Sequence, residues 1–193
     1  MVIDVAAAPG GKATHLAELM DNRGRVIALD IHPHKVALIE ENAERLGTTI
    51  VEAVCLDARR VGEAMPERAD AVLCDLPCSG LGTLARRPDA RWRKSPEDVE
   101  ALVPIQRAIL ESAAKALKPG GVLVYSTCTI QPKENEELVE GFVADHPEFR
   151  FDRVWDYLPG TISPEGQAEG YVQLLPHVHG TDGFFIARMV KTG

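Results

Sequence analysis

Two cysteines occupy positions from which a thiol could do chemistry. Cys78 lies within residues 75–80 and Cys128 within residues 125–129, and each segment follows an apolar run that predicts a β-strand. Because ligands bind outside the carboxyl ends of the strands in open parallel sheets, we expect both thiols to face one crevice. A thiolate is a strong nucleophile, so the pair predicts covalent catalysis at this edge of the sheet.

The other two cysteines, Cys55 and Cys74, lie inside apolar runs that predict strands. Free cysteine is most often an inert core residue, and we expect that role for both. The four cysteines show neither a disulfide framework nor the Cys-x-x-Cys spacing of zinc sites, and the histidines at 32 and 34 and at 177 and 179 form isolated pairs. We therefore expect no bound metal.

A loop of small residues joins the first predicted strand to the first predicted helix. Its residues are Ala6, Ala7, Ala8, Pro9, Gly10, Gly11 and Lys12. Small residues let a ligand approach the backbone closely. The loop lacks the first glycine and the final hydroxyl of a phosphate-binding P-loop, and it lacks the G-x-G-x-x-G pattern of a dinucleotide site. A cofactor without phosphate groups is therefore favoured.

Acidic residues stand at the ends of four successive predicted strands, namely Asp4, Asp30, Asp57 and Asp75. An acid at the end of the second strand typically accepts hydrogen bonds from ribose hydroxyls. S-adenosylmethionine carries a ribose, an adenine and a cationic sulfonium but no phosphate, so an acidic rim suits it. We predict S-adenosylmethionine as the cofactor, leaving as S-adenosylhomocysteine, and expect loop 6–12 with Asp30, Asp57 and Asp75 to bind it.

Methyl transfer to carbon 5 of cytosine is a reaction that needs a thiol. Carbon 5 has no lone pair, so a nucleophile must first add to carbon 6 and make carbon 5 enamine-like. Lys12 or the sulfonium could help to form the thiolate, and Asp75 could hold or protonate ring nitrogen 3. The residues alone leave open which of the two cysteines attacks.

In chain order, these motifs resemble the Sun/Nop family of RNA cytosine-5 methyltransferases, and look closest to the bacterial Sun-type enzymes of small-subunit ribosomal RNA. The matching segments are 4–12, Asp30, 56–58, 75–82, 86–89 with 91–92, 118–121, 126–128 and 180–185, which cover nearly the whole chain. The resemblance implies that Cys128 is the nucleophile, that Cys78 assists product release, that Asp75 contacts the base or cofactor, and that Lys12 lines the pocket. The chain departs from the family pattern at Ala6, Ala13 and Leu76, where Cys, Thr and Ala are usual.

A basic segment beside the first cysteine motif predicts contact with RNA. It contains Arg86, Arg87, Arg91, Arg93 and Lys94, with Trp92 among them. Cations bind phosphates, and an exposed aromatic ring can stack on a base. The net charge of −8 argues against binding by bulk electrostatics, so RNA affinity must come from such a local patch or from a further module. The alternative is that the segment is an ordinary solvated loop.

Apolar runs alternate with helical patterns, which is typical of an α/β domain with a parallel sheet. We predict a Rossmann-like class I methyltransferase fold: a mostly parallel seven-stranded sheet, helices on both faces and an antiparallel last strand. The predicted strands are 2–5, 25–30, 49–56, 69–75, 122–126, 149–154 and 183–189. The predicted helices are 11–20, 33–45, 96–117 with a break near Pro104, and 132–144, while 118–121 is predicted to be a turn and 156–182 mostly a loop.

The length of 193 residues predicts one domain over 1–193. No apolar run is long enough to span a membrane and no signal peptide is evident, which favours the cytoplasm. The first strand should be central yet begins at the first residue, so we expect that an N-terminal RNA-binding region has been removed. Three hypotheses stay open: an RNA cytosine methyltransferase, a cofactor-binding core that does not methylate RNA by itself, and a methyltransferase of transfer RNA or another acceptor.

Overall fold

The computed structural model describes residues 1–160, 162 and 168–193. Within them lies one eight-stranded sheet, whose strands are β1 (Val2–Asp4), β2 (Val26–Asp30), β3 (Val51–Cys55), β4 (Ala69–Asp75), β5 (Leu117–Thr127), β6 (Phe149–Phe151), β7 (Tyr171–Leu174) and β8 (Phe184–Lys191). The strand order is β3-β2-β1-β4-β5-β8-β6, with β7 also paired to β8. The first five strands run parallel, and β8 is antiparallel to its three neighbours. The predicted fold class is confirmed, and the sheet has one strand more than predicted.

The α-helices connect the strands and cover the sheet. They are α1 (Gly11–Leu19), α2 (Pro33–Leu46), α3 (Val61–Ala64), α4 (Ala90–Arg93), α5 (Pro96–Ala116), α6 (Glu136–Asp145) and α7 (Pro176–His179). Alternate residues of β2 enter two separate cores: Ile27 packs in the larger one with α5 and α6, and Ala28 in the smaller one with α1 and α2. Because successive side chains of a strand point to opposite faces, helices cover both faces of the sheet.

Several helix ends follow directly from local sequence signals. Gly47 ends α2 in the left-handed conformation at φ 66°, which glycine adopts at no steric cost. Ser95 begins α5 with a capping box, in which its hydroxyl accepts from the backbone N–H of Asp98 and the Asp98 carboxylate accepts from the backbone N–H of Ser95. These signals place both helices as predicted.

Three expectations about elements are wrong. Helix α5 does not break at Pro104, because Val99, Ile109 and Leu110 bury its apolar face on both sides of the proline, and this packing outweighs a cost of about 3 kcal/mol. Residues 118–121 belong to an irregular start of β5 rather than to a turn. The predicted loop 156–182 contains β7 and α7; its residues 161 and 163–167 lie outside the described part of the chain.

The loop after β4 packs on the loop after β5 with no room for a side chain. Gly82 donates its N–H to the carbonyl of Cys128 at 3.0 Å, and Gly183 donates to the carbonyl of Gly82 at 2.8 Å. A Cβ built on Gly82 would lie 2.0 Å from the Gly183 carbonyl oxygen and 2.8 Å from that of Cys128. The absence of a side chain at residue 82 therefore keeps the two cysteine loops and the start of β8 in contact.

We expect Gly82→Ala to lower the free energy of unfolding by about 2–4 kcal/mol, because backbone must move to admit the methyl group. Urea unfolding followed by circular dichroism measures this. Gly141→Ala, in α6, is the matched control: its Cβ would meet only Arg107 at 3.5 Å, so stability should stay level or rise by about 0.5–1 kcal/mol. Equal stability of the two variants would contradict the close packing at Gly82.

Candidate active site

Parallel pairing of β4 and β5 brings the two predicted chemical cysteines together. Asp75 lies opposite Ser126 in the register of these strands, and each strand continues into the loop that carries one cysteine. The sulfur atoms of Cys78 and Cys128 are 3.4 Å apart, and both side chains are half-buried. At this distance one thiol can donate a hydrogen bond to the other.

The two thiols differ in acidity because they share one hydrogen bond and differ in surroundings. The hydrogen bond from Cys78 lowers the pKa of Cys128 to about 7; burial and Asp75 act against this, and the positive charge of Arg87 supports it. The same hydrogen bond, together with burial, raises the pKa of Cys78 far above its ordinary value. Near neutral pH, about half of Cys128 is therefore thiolate, with Cys78 as its hydrogen-bond donor.

A carboxylate and an ammonium group lie at the same strand ends. The Nζ atom of Lys12, in α1, is 2.6 Å from Oδ2 of Asp75, and the hydroxyl of Ser126 donates to Oδ1 of Asp75 at 2.9 Å. Lys12 is one of two candidates for helping to form the thiolate, and its ammonium group pairs with Asp75. The neighbouring side chains that lower the pKa of Cys128 are Cys78 and Arg87. Lys12 and Asp75 together present one hydrogen-bonding pair to the pocket.

Sequence reasoning missed a buried carboxylate, Glu134, that holds the Cys78 loop. Its side chain accepts hydrogen bonds from the backbone N–H of Ser79 at 2.9 Å, from the hydroxyl of Ser79 at 2.5 Å and from the amide of Gln106 at 2.9 Å. The amide of Gln106 also donates to the carbonyl of Pro77 at 2.9 Å. The residues on either side of Cys78 are thus tied to one carboxylate.

Sequence reasoning also missed Asn135, which holds the Cys128 loop in the same way. Its Oδ1 atom accepts from the hydroxyl of Thr127 at 2.6 Å, and its Nδ2 atom donates to the carbonyl of Thr129 at 3.1 Å. The hydroxyls of Thr129 and Ser79 lie 2.7 Å apart and join the two loops. The only signal in the sequence is a pair of polar residues shortly after Cys128, and the predicted helix 132–144 concealed it.

The predicted cofactor residues, apart from Gly10, line two adjoining cavities. One, of about 280 Å³, has Asp30 and Asp57 on its rim with the apolar side chains of Ile31, Ile105 and Ile109. Asp57 accepts three hydrogen bonds from the side chain and one from the backbone of Arg59, which lower its pKa. The other cavity, of about 350 Å³, is lined by Ala6, Ala7, Ala8, Pro9, Gly11 and Lys12 with Asp4 and Asp75. Ala6 borders both, so the cavities are neighbours.

Asp4 lines the second cavity, and one oxygen of its buried carboxyl group accepts no hydrogen bond from the described residues. It is 1% exposed, and its Oδ2 atom has no hydrogen-bond partner among the described residues. Burial raises its pKa to about 7, with a further contribution from Asp75, against the lowering effects of the Ala6 N–H and of Lys12. A positive charge placed in this cavity would favour the ionised form of the Asp4 carboxyl group.

The chain matches a family model described as 16S rRNA methyltransferase RsmB/F over residues 1–190. It belongs to this family. The Bacillus subtilis protein named "Probable ribosomal RNA small subunit methyltransferase B" is 48% identical over 100% of the chain, and the Serratia proteamaculans protein named "Ribosomal RNA small subunit methyltransferase F" is 41% identical over 98%. The chain spans 43% and 40% of the length of these two relatives.

A solved structure supports the same assignment. The protein titled NSun6 from Pyrococcus horikoshii with SFG has a TM-score of 0.87 and 38% identity; the match covers 100% of this chain and 48% of that one. The RsmB/F family uses S-adenosylmethionine, so the predicted cofactor is confirmed. The residues fit it: two cavities meet at Ala6, one has an acidic and apolar lining, and the other contains the unpartnered Oδ2 of Asp4.

The remaining predicted residues lie at the surface. Trp92 is 83% exposed on α4, and the five cations of the basic segment are also exposed. Arg86 pairs with Asp182, and Arg93 lies 3.5 Å from Asp89. Cys74 is buried as expected, but Cys55 is exposed, because it ends the edge strand β3.

The described residues contain neither a cluster of metal-ligating side chains nor a helix that could span a membrane. In residues 1–160, 162 and 168–193 there is no cluster of three or more metal-ligating side chains. Within the same residues, no helix combines the length and the apolar character needed to cross a membrane.

We expect Asp4→Asn to stabilise the cofactor-free protein at pH 8 by about 1–4 kcal/mol. The folded-state pKa of Asp4 lies above its unfolded value of 3.8, so the wild type loses stability as pH rises from about 4 to about 7, when the buried carboxyl group ionises. The difference between variant and wild type should fall to roughly two-fifths of its pH 8 value at pH 5, and it should vanish only below about pH 4. Urea unfolding at both pH values measures it, and an equal difference at both would contradict a raised pKa.

Proposed function

We propose that the chain transfers a methyl group from S-adenosylmethionine to carbon 5 of a cytosine in small-subunit ribosomal RNA, with Cys128 as the nucleophile. The observation that carries this proposal is the 3.4 Å contact between Cys78 and Cys128 beside the Lys12–Asp75 pair. The rRNA substrate is taken from the family and from the names of the relatives.

The thiol pair favours a carbon acceptor over an oxygen or nitrogen acceptor. Oxygen and amine acceptors have lone pairs and need only orientation and a base, whereas carbon 5 must be activated by addition at carbon 6. The Cys128 thiolate uses its electron pair to form a bond to carbon 6. The π electrons of the C5=C6 double bond shift between carbon 5 and carbon 4, and those of the C4=N3 double bond shift onto ring nitrogen 3, which leaves carbon 5 enamine-like. Carbon 5 then takes the methyl group, which S-adenosylmethionine supplies as an electrophile when bound.

The geometry gives the two thiols separate tasks. Cys128, with its pKa lowered to about 7, has a large thiolate fraction at neutral pH and attacks. Cys78 holds its proton, because its pKa is raised, and donates it towards the sulfur of Cys128. Protonation of that sulfur favours cleavage of the bond to carbon 6 after the proton on carbon 5 has been removed, so Cys78 assists release.

Asp75 and Lys12 orient the target base. Their paired carboxylate and ammonium groups present one acceptor and one donor beside the thiols, and the hydroxyl of Ser126 fixes Asp75. We assign the Lys12–Asp75 pair to the nitrogen 3 edge of the cytosine, where charge develops when Cys128 adds.

The two cavities divide the cofactor between them. Asp30, at the end of β2, suits the ribose hydroxyls, and the apolar residues Ile31, Ile105 and Ile109 suit the adenine plane. Ala6 to Lys12 and the carboxylate of Asp4 suit the charged methionine part. Asp57 contributes its remaining acceptor capacity at the adenine end.

The basic segment is the surface we assign to RNA. Arg86, Arg87, Arg91, Arg93 and Lys94 are exposed on one side of the Cys78 loop, and Trp92 offers an unpacked aromatic face. A cleft of about 270 Å³ lined by Leu81, Lys94 and Lys133 adjoins the basic segment at Lys94.

A second candidate is a cofactor-binding core that does not methylate RNA by itself. The chain spans less than half the length of the relatives it matches, and this favours a requirement for further segments in RNA binding. Calorimetric titration with S-adenosylmethionine, alongside methylation of a small-subunit rRNA transcript, separates the two candidates. Binding without turnover at saturating transcript supports the second.

We expect Cys78→Ser to accumulate a covalent complex with the rRNA transcript in the presence of S-adenosylmethionine, because the nucleophile stays and release is impaired. Cys128→Ala should form none. Denaturing gel electrophoresis of labelled RNA measures the adduct. Cys55→Ser, at the exposed cysteine remote from the pair, is the control and should behave as wild type. Adduct in Cys128→Ala, or in neither variant, would contradict the assigned roles.

We expect Trp92→Ala to weaken binding of the rRNA transcript about fivefold to one-hundredfold, since stacking of one base on an aromatic ring contributes about 1–3 kcal/mol. Affinity for S-adenosylmethionine should not change, because Trp92 lines neither cofactor cavity. Fluorescence anisotropy measures the RNA affinity and calorimetry measures that of the cofactor. Tyr157→Ala, an exposed aromatic residue outside the basic segment, is the control, and an equal loss there would exclude a specific role for Trp92.

A further inference from the structure

Two neighbouring residues in the loop between β5 and α6 hold the residues on both sides of each cysteine. Glu134 binds Ser79 directly and Pro77 through Gln106, and these residues flank Cys78. Asn135 binds Thr127 and Thr129, which flank Cys128. Each cysteine is therefore held at its two adjacent residues by one side chain, and the two side chains are consecutive in the chain.

Burying the polar side chains of Glu134 and Asn135 costs free energy, and this cost points to a role other than stabilising the fold. Glu134 and Asn135 are both 0% exposed. A buried carboxylate loses its hydration, and well-packed apolar residues often stabilise a core equally well or better. Glu134 recovers part of that loss through hydrogen bonds from Ser79 and Gln106, and Tyr125 donates to its backbone carbonyl at 2.6 Å. Hydrogen bonds are directional, so they fix the position and orientation of each cysteine loop. An apolar cluster would not do so.

The contact between the thiols depends on small displacements of either loop. A sulfur separation of 3.4 Å permits a hydrogen bond, and the interaction weakens steeply with distance and misalignment. The charged groups acting on Cys128 are Asp75, whose effect opposes the thiolate, and Arg87, whose effect favours it. The hydrogen bond from Cys78 is the largest contribution to the lowered pKa of Cys128. The positions of the two loops therefore determine the thiolate fraction of Cys128.

We propose that Glu134 and Asn135 are positioning residues that hold Cys78 and Cys128 at hydrogen-bonding distance, Glu134 by fixing the Cys78 loop and Asn135 by fixing the Cys128 loop. They touch neither substrate nor cofactor and act through the two thiols. The inference rests on the proposed function for its meaning in catalysis, in which Cys128 attacks and Cys78 assists release. The geometry itself does not depend on the identity of the RNA.

The test is the pH dependence of Cys128 alkylation in Glu134→Gln and Asn135→Ala, without RNA or cofactor. The chain is treated briefly with iodoacetamide across pH 5–10, and the label on each cysteine is quantified by peptide mass spectrometry. The wild-type midpoint for Cys128 should lie near 7, and both variants should move it upward by about one pH unit, towards the value of about 8.5 for free cysteine. Loss of fold alone would not produce this shift at Cys128 in a chain that still binds S-adenosylmethionine.

Three controls make the result decisive. Glu137→Gln removes the same charge from an exposed position on α6, and its Cys128 midpoint should match the wild type. Affinity for S-adenosylmethionine, measured by calorimetry, should be unchanged in all variants, because neither Glu134 nor Asn135 lines its cavities. If Glu134→Gln fails to fold, Ser79→Ala removes one hydroxyl from the same network and should raise the midpoint in the same direction.

The outcomes separate this inference from the proposed function. A wild-type midpoint in folded Glu134→Gln, Asn135→Ala or Ser79→Ala overturns the positioning role, and so does an equal shift in Glu137→Gln. Absence of RNA methylation by the wild-type chain counts against the proposed function but leaves the alkylation profile intact.

Discussion

The register between β4 and β5 is the constraint on which the site depends. It places Asp75 opposite Ser126, so that the chain leaves both strands at the same height and the loops that follow reach the same crevice. A slip of one residue would turn every side chain of one strand to the other face of the sheet. The serine–aspartate hydrogen bond, the pairing with Lys12 and the contact between thiols would then be lost together. The relative placement of these side chains thus depends on backbone pairing between β4 and β5.

The electrostatics of the site follow from unequal surroundings of two identical groups. Cys78 lies deeper and keeps its proton, whereas Cys128 has Arg87 nearby and accepts the hydrogen bond. The two thiols therefore differ in acidity although they belong to the same amino acid. The loops that carry the pair lie within the residues that match the RsmB/F family model.

Local signals in the sequence were enough to predict the elements that carry the site. Gly47 and Ser95 ended or began helices as their conformational preferences require, and the apolar runs before Asp75 and before Cys128 formed adjacent parallel strands. Pro104 misled because its local cost is overridden by packing against the sheet. Strand β7 was missed because its four residues gain their pairing from β8, which no local pattern reports.

The site residues that could be predicted from the sequence are those with reactive or ligand-binding side chains at or just after the ends of strands. Cys78, Cys128, Asp75 and loop 6–12 each follow a strand, so the topology of a parallel sheet brings them together. Glu134 and Asn135 act through Pro77, Ser79, Thr127 and Thr129, and the contacts of Glu134 are distant in sequence. Side-chain hydrogen bonds of that kind leave no periodic trace in a sequence and become visible only in three dimensions.

The unpartnered oxygen of Asp4 makes a proton and a cationic ligand rivals for one place. At neutral pH the carboxyl group carries a proton about half of the time, since burial holds its pKa near 7. A ligand that brought a positive charge into the cavity would lower this pKa and so favour release of that proton. Cation binding in the cavity is thereby coupled to pH, and a lower pH weakens the affinity for a cation bound there.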